Sequence, residues 1–179
     1  MFSKIVVGLL IVLVLFAIIV VLQPSDFRVS RSATVAAPAA SVFAEVNDLH
    51  RYAAWNPRAK ADPAMKTTFE GPRAGPGAIL AWSGNQEVGV GRMTITESRP
   101  NELVRMRLDF IKPFPSSAAA EFVLKSEGGQ TKVTWSMFGR QSFIPKAIGL
   151  FMNMDKMIGN QFDQGLAEMK SRIESSGEK

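Results

Sequence analysis

The run AWSGNQEVGVGRMTITE, Ala81 to Glu97, sets Gly84, Gly89 and Gly91 and the carboxylates Glu87 and Glu97 inside what otherwise reads as a strand. A Gly-x-Gly cradles phosphate when a helix N-terminus follows it, because free N–H groups then converge on the anion. Here the third glycine of a dinucleotide fingerprint is missing and a strand-like run follows, so the context argues against phosphate chemistry. His50 is the single histidine and there is no cysteine. That leaves no His/Cys metal cluster, no thiol nucleophile, and no Ser-His-Asp arrangement with a base to spare. No metal and no cofactor are expected. General acid–base work needs a titratable group held inside a pocket. By strand alternation the inward candidates are Arg31, Glu87 and Glu97, which makes the two glutamates weak catalytic candidates. An Arg31–Glu pair would orient the polar head of a ligand or act as a structural ion pair at the rim.

The apolar inventory is richer. Trp55, Trp82, Trp135, Phe110, Phe122, Phe151 and Phe162 supply aromatic surface, and Met93, Met106, Met137, Met152, Met154 and Met157 supply flexible, polarisable surface. Methionine suits adaptable pockets, and apolar pockets with few polar groups suit lipids. Taken singly, each of these residues also fits an ordinary core.

The elements that would position them follow from periodicity. Phe27 to Val35 alternates, with Arg31 intruding on the apolar side, and predicts a half-buried strand. APAASVFAEVNDLHRYAAWNP changes period, and the break at Asn47-Asp48 divides it into two short helices. Arg58 to Pro63 reads as loop. Then come six strand-like runs, Met65–Glu70, Ala78–Ser83, Glu87–Glu97, Leu103–Phe110, Ala118–Lys125 and Thr131–Gly139, joined by short Gly, Pro and Asn turns. Short turns between successive strands imply an antiparallel meander with one greasy and one wet face. Pro145 to Glu174 carries apolar residues at helical spacing and predicts one long amphipathic helix to cover the greasy face. Gly149, Gly159 and Gly165 inside it each cost about 1 kcal/mol relative to alanine, which implies close approach to something. By the same alternation Gly89 and Gly91 fall on the inner face of their strand, where they either admit that helix or leave a void.

Ile5 to Leu22 is 18 residues without a charge, enough to span roughly 27 Å of a hydrocarbon core about 30 Å thick. It is longer than a secretory h-region, and no small-x-small cleavage site follows closely. The expected organisation is therefore an N-terminal transmembrane anchor, residues 1–26, and a domain of residues 27–179. The expected location is a single pass through a membrane, bacterial in type. Lys4 on one side and Asp26, Arg28 and Arg31 on the other do not fix its orientation. The formal charge of +5 is scattered, with no basic run of the kind that grips nucleic acid.

The segments RSATVAAPAASVFAEVNDLHRYAAWNP, GPGAILAWSGNQEVGVGRMTI and MDKMIGNQFDQGLAEMK, in this order, resemble the SRPBCC superfamily. That group includes START-like lipid-transfer domains and polyketide cyclases and dehydrases. The resemblance covers Phe27 to Ile173. It implies an α+β helix-grip fold, a curved antiparallel sheet wrapped around the long C-terminal helix, with a hydrophobic small molecule or lipid between them. The residues expected to line that space are Trp82, Gly89, Gly91, Met93, Met106, Phe110, Phe122, Trp135, Met137, Phe151, Ile158 and Phe162. A membrane-anchored binding module is the leading expectation. A cyclase or dehydrase acting on an apolar substrate in the same space is the alternative, ranked second for want of an inward catalytic constellation.

Overall fold

A computed structural model describes residues 2–177. After the N-terminal helix α1 (Phe2–Leu22) comes strand β1 (Asp26–Val35), then helices α2 (Ala39–Asn47), α3 (Leu49–Trp55) and α4 (Arg58–Ala61). The meander is β2 (Lys66–Glu70), β3 (Ile79–Ser83), β4 (Val90–Arg99), β5 (Leu103–Lys112), β6 (Ser116–Glu127) and β7 (Gln130–Arg140). Two helices close the chain, α5 (Phe143–Gly149) and α6 (Met154–Gly177). All strand pairs are antiparallel, in the order β1-β7-β6-β5-β4-β3-β2, so β1 returns to pair with the last strand. Helices α2, α3 and α6 gather on one face of this sheet. The fold is the α+β helix grip.

The register explains the two faces. Val29, Met137, Ala120, Met106 and Ile95 form one row across β1, β7, β6, β5 and β4. Arg31, Trp135, Phe122 and Val104 form the next. Apart from Arg31 these rows are buried or half-buried beneath the helices, and each buried side chain of this size is worth roughly 1.5–3 kcal/mol in transfer from water. The opposite face is charged and hydroxylic. Glu121 bridges Arg28 and Arg105, Arg105 also reaches Glu97, and the hydroxyls of Ser30 and Ser32 meet those of Ser136 and Thr134.

Three local expectations need correction. Arg58 to Pro63 is not all loop, because Pro57 starts the short helix α4. The long C-terminal helix is two helices: α5 ends at Gly149, and Asn153 starts α6 afresh by accepting the Lys156 N–H on its side chain at 2.9 Å. Glycine and asparagine at adjacent ends are the usual punctuation for such a break. The strand expected to begin at Glu87 begins at Val90 instead, and a bulge lies between Ile95 and Glu97.

Asp48 ties the helical layer to the sheet's far edge. It caps α3 by accepting the N–H groups of His50 and Arg51, and it pairs with Arg73 of the β2–β3 turn at 2.7 Å. Burial pushes its carboxyl up, but the Arg73 hydrogen bond and the two amide donors outweigh that and hold it below the usual carboxylate range. A depressed folded value stabilises the fold fully above the unfolded value of about 3.9. That contribution disappears as pH falls through the folded value. Asp48→Asn keeps a capping oxygen but loses the charge. The expected outcome is an unfolding midpoint below wild type at neutral pH, with the two curves converging under acid, measured by denaturant titration across the acid range.

Candidate functional site

The space between sheet and α6 is not uniform. Midway along the sheet it is solid aromatic packing. Phe162 of α6 stacks on Trp135 of β7 with centroids 4.1 Å apart, and Trp135 stacks on Phe122 at 4.9 Å. Tyr52 and Trp55 of α3 meet these rings edge-on. Gly165 makes this possible, since a Cβ there would lie 2.8 Å from the Trp135 ring. One turn and a half earlier, a Cβ on Gly159 would collide with the Arg31 guanidinium. Asp155 and Asp163, four residues either side of Gly159, pair with that guanidinium at 3.0 and 3.4 Å. The Asp155 hydrogen bond leads in raising the Arg31 pKa above its ordinary value. The intruding arginine is thus a cation clamped under the helix, and its partners are aspartates of α6 rather than a glutamate of the sheet.

Toward the end of the sheet where α1 joins, packing loosens. The inner face there has a floor of small residues, Ala118, Ala120 and Gly139, flanked by Met137, Phe110, Phe27 and Ile158, which are only half-buried. Trp82 closes the side wall and meets Phe110 edge-on at 6.0 Å. Gly91 is bare because the Trp82 ring occupies the position of its missing side chain, where a Cβ would lie 2.5 Å from that ring and 2.7 Å from the Asp109 carbonyl. Gly89 serves a different need. Its φ of +69° turns the chain into β4 and lets it pass against the Lys112 carbonyl.

Of the residues expected to line a ligand space, Phe110, Met137 and Ile158 are half-buried at this looser end, Trp82, Gly91, Met93 and Met106 lie on the strands beside them but are closed over in the core, and Phe122, Trp135 and Phe162 form the stacked layer. Phe151 stands apart, 79% exposed, stacked on Phe16 of α1 at 6.2 Å. The two carboxylates do not turn inward. Glu87 lies exposed in the β3–β4 turn, its N–H bonded to Asn85 Oδ1. Glu97 lies on the outer face with Arg105, because the bulge after Ile95 adds a residue and reverses the alternation. His50 is exposed and stacks on Phe69. Among the described residues no cluster of His, Cys, Asp and Glu has the arrangement of a metal site.

Sequence reasoning missed the polar pair that does reach this interior. Arg58, at the start of α4, lays its guanidinium over the Trp82 ring at 4.5 Å, with the buried Tyr52 phenol within its field. Burial pushes the Tyr52 phenol above its ordinary value, and Arg58 only partly offsets that, so it stays a neutral donor at pH 7. The available signal was the stripe Leu49, Tyr52, Trp55 at helical spacing, which places Tyr52 inward. An open groove of about 1100 Å³ lies elsewhere, beyond the far end of β1, between the start of α2 and the last turns of α6, and carries Glu45, Arg51 and Arg172.

The family described as polyketide cyclase / dehydrase and lipid transport matches residues 26–174. The chain belongs to that family. No curated protein matches it by sequence. Solved structures share the fold at low identity. The Zhui aromatase/cyclase from Streptomyces sp. R1128 is 15% identical with a TM-score of 0.60, over 83% of this chain and 94% of its own. Protein CV1439 from Chromobacterium violaceum is 16% identical at 0.60, over 85% and 99%. Protein jhp0584 from Helicobacter pylori is 10% identical at 0.62, over 83% and 89%.

Gly91 tests whether the Trp82 wall is under tight packing. Gly91→Ala pushes against both the indole and a neighbouring strand's backbone, neither of which yields cheaply. The expected loss is about 1–3 kcal/mol in chemical unfolding, with quenched or shifted tryptophan fluorescence. Gly75→Ala in the β2–β3 turn, which meets no side chain, makes the backbone-only comparison.

Proposed function

We propose that this chain is a membrane-anchored module that binds a lipid or other hydrophobic small molecule in the α1-proximal half of the sheet–helix interface. The observation that carries the reading is the gradient in packing. The stacked layer of Phe122, Trp135 and Phe162 stops a guest from going deeper. The floor of Ala118, Ala120 and Gly139 is bordered by residues whose apolar surface is still half open. Met137, Met106 and Met93 let that half adapt in shape, since an unbranched thioether changes rotamer at little cost. Burying a guest there gains roughly 25 cal/mol per Å² of apolar surface removed from water. Helix α1, the one helix among the described residues long and apolar enough to cross a membrane, supplies the anchor and keeps the site beside a hydrophobic source.

A second reading, catalysis on a cyclising apolar substrate, is favoured by one observation, the Arg58 guanidinium over Trp82 with the buried Tyr52 phenol in its field. A neutral phenol beside a guanidinium can hydrogen-bond a substrate carbonyl oxygen, and the cation stabilises negative charge that gathers on that oxygen. Binding and catalysis separate cleanly: Tyr52→Phe abolishes turnover of a poly-β-ketone substrate if the pair is catalytic, and leaves uptake intact in either case.

The full chain, purified in detergent and delipidated, is expected to take up a fluorescent fatty-acid probe saturably, and native mass spectrometry of undelipidated protein is expected to show an extractable apolar adduct. Ala118→Leu raises the floor and should weaken uptake about tenfold, equivalent to about 1.4 kcal/mol. Ala40→Leu, in the groove at the far end, should leave it unchanged. No adduct and no saturable uptake would retire the binding reading.

A further inference from the structure

We infer that the domain does not merely hang from its anchor but sits in the bilayer, with the end nearest α1 inserted among the lipids. The inference rests on the reading of α1 as a membrane span and adds a second contact to it. Large apolar side chains crowd that end without cover: Ile111 and Phe114 around the β5–β6 turn, Phe143 and Ile144 on α5, Phe151 and Met152 on the turn before α6. Large apolar side chains left uncovered at one end of a domain mark an interaction surface. Its position relative to α1 says which one.

Phe16 lies six residues before the end of α1, so a spanning helix carries it roughly 9 Å below that end. Phe151 stacks on Phe16, and Val20, one turn on, is fully buried against the domain. The turn before α6 therefore shares the depth of the last two turns of the span. Nothing allows the domain to swing clear. Only Gln23, Pro24 and Ser25 separate α1 from β1, a reach of about 10 Å at full extension. Lys146 of α5, itself buried, donates from Nζ to the Gln23 carbonyl at 2.8 Å and so ties α5 to the end of α1. The Gln141 N–H bonds the Ser25 carbonyl at 2.8 Å and fixes the other side. Exposed Lys112 stands between Ile111 and Phe114, and exposed Lys156 follows Met152 by four residues, so long cationic side chains beside the apolar ones can reach phosphate groups. The occupant of the patch is the bilayer, and the half-buried residues that border the floor of the binding site, Phe27, Phe110 and Met137, lie at the same end of the sheet.

The absence of cysteine makes single labels clean. Full-length Ile11→Cys, Phe114→Cys, Ile144→Cys and Glu127→Cys, each carrying an environment-sensitive fluorophore, go into vesicles of phosphatidylcholine with a minority of phosphatidylglycerol, with nitroxide-labelled lipids as quenchers. The Ile11 label reports the span, and the Glu127 label, in the hairpin at the opposite end, reports water. The expected result is blue-shifted emission and nitroxide quenching at positions 114 and 144 as well as 11, and neither at 127. Quenching at 11 with water-like emission at 114 and 144 overturns docking while the anchor stands. A blue shift at 114 and 144 without lipid quenching means protein covers the patch, and also overturns it. No quenching at 11 removes the anchor reading itself and the docking with it.

Discussion

The fold depends on how closely α6 can approach the sheet. A helix crossing a floor that contains Trp135 and Phe122 would ordinarily stand off by the thickness of its own side chains. Gly165 removes that thickness over the Trp135 ring, and Gly159 removes it over the Arg31 guanidinium. Each glycine costs helix propensity, and the stacking of Phe162 on Trp135 and the aspartate clamp on Arg31 offset it. Close approach at these two points fixes the path of α6, and the path decides which part of the inner face is sealed.

That sealing gives the domain two unlike ends. At the far end α6 reaches the start of α2, where Glu174 accepts the Ala36 N–H and the groove beside them is walled by Glu45, Arg51 and Arg172 as well as alanines. At the near end α6 has only begun, α5 has turned aside to pack on α1, and the cover over Ala118 and Gly139 is thin. The break at Leu150–Asn153 produces this asymmetry. A continuous helix from Pro145 would have run its apolar stripe on across the sheet; a broken one leaves α5 free to lie beside α1.

The ionic groups obey the same division. Glu121, Arg105, Arg28 and Glu97 neutralise one another on the outer face, where water screens what remains. Arg31 and Arg58 are the cations that turn toward the inner side, and each is accompanied, Arg31 by two aspartates and Arg58 by an indole face and a buried phenol. An inner-face cation left alone would cost more than the fold gains from placing it there.

Local pattern in the chain was enough for the order of first strand, helices, six-strand meander and covering helix, short of α4 and of the α5–α6 break, for the inner rows containing Met93, Met106, Phe122, Trp135 and Met137, and for the apolar helix at the N-terminus. Each of these reflects a period of 2 or 3.6 that burial imposes on residue type. The same pattern misplaced Glu97, because one bulged residue reverses every later side chain and leaves no mark in composition. It also placed Phe151 on the covering helix, since a helix break preserves hydrophobic spacing while redirecting the residues on either side of it. What filled the place of each missing glycine side chain, a guest, an indole or a guanidinium, was settled only in three dimensions: Trp82, Trp135 and Arg31 are 9, 30 and 128 residues from the glycines they occupy, and no local rule couples residues so far apart in sequence.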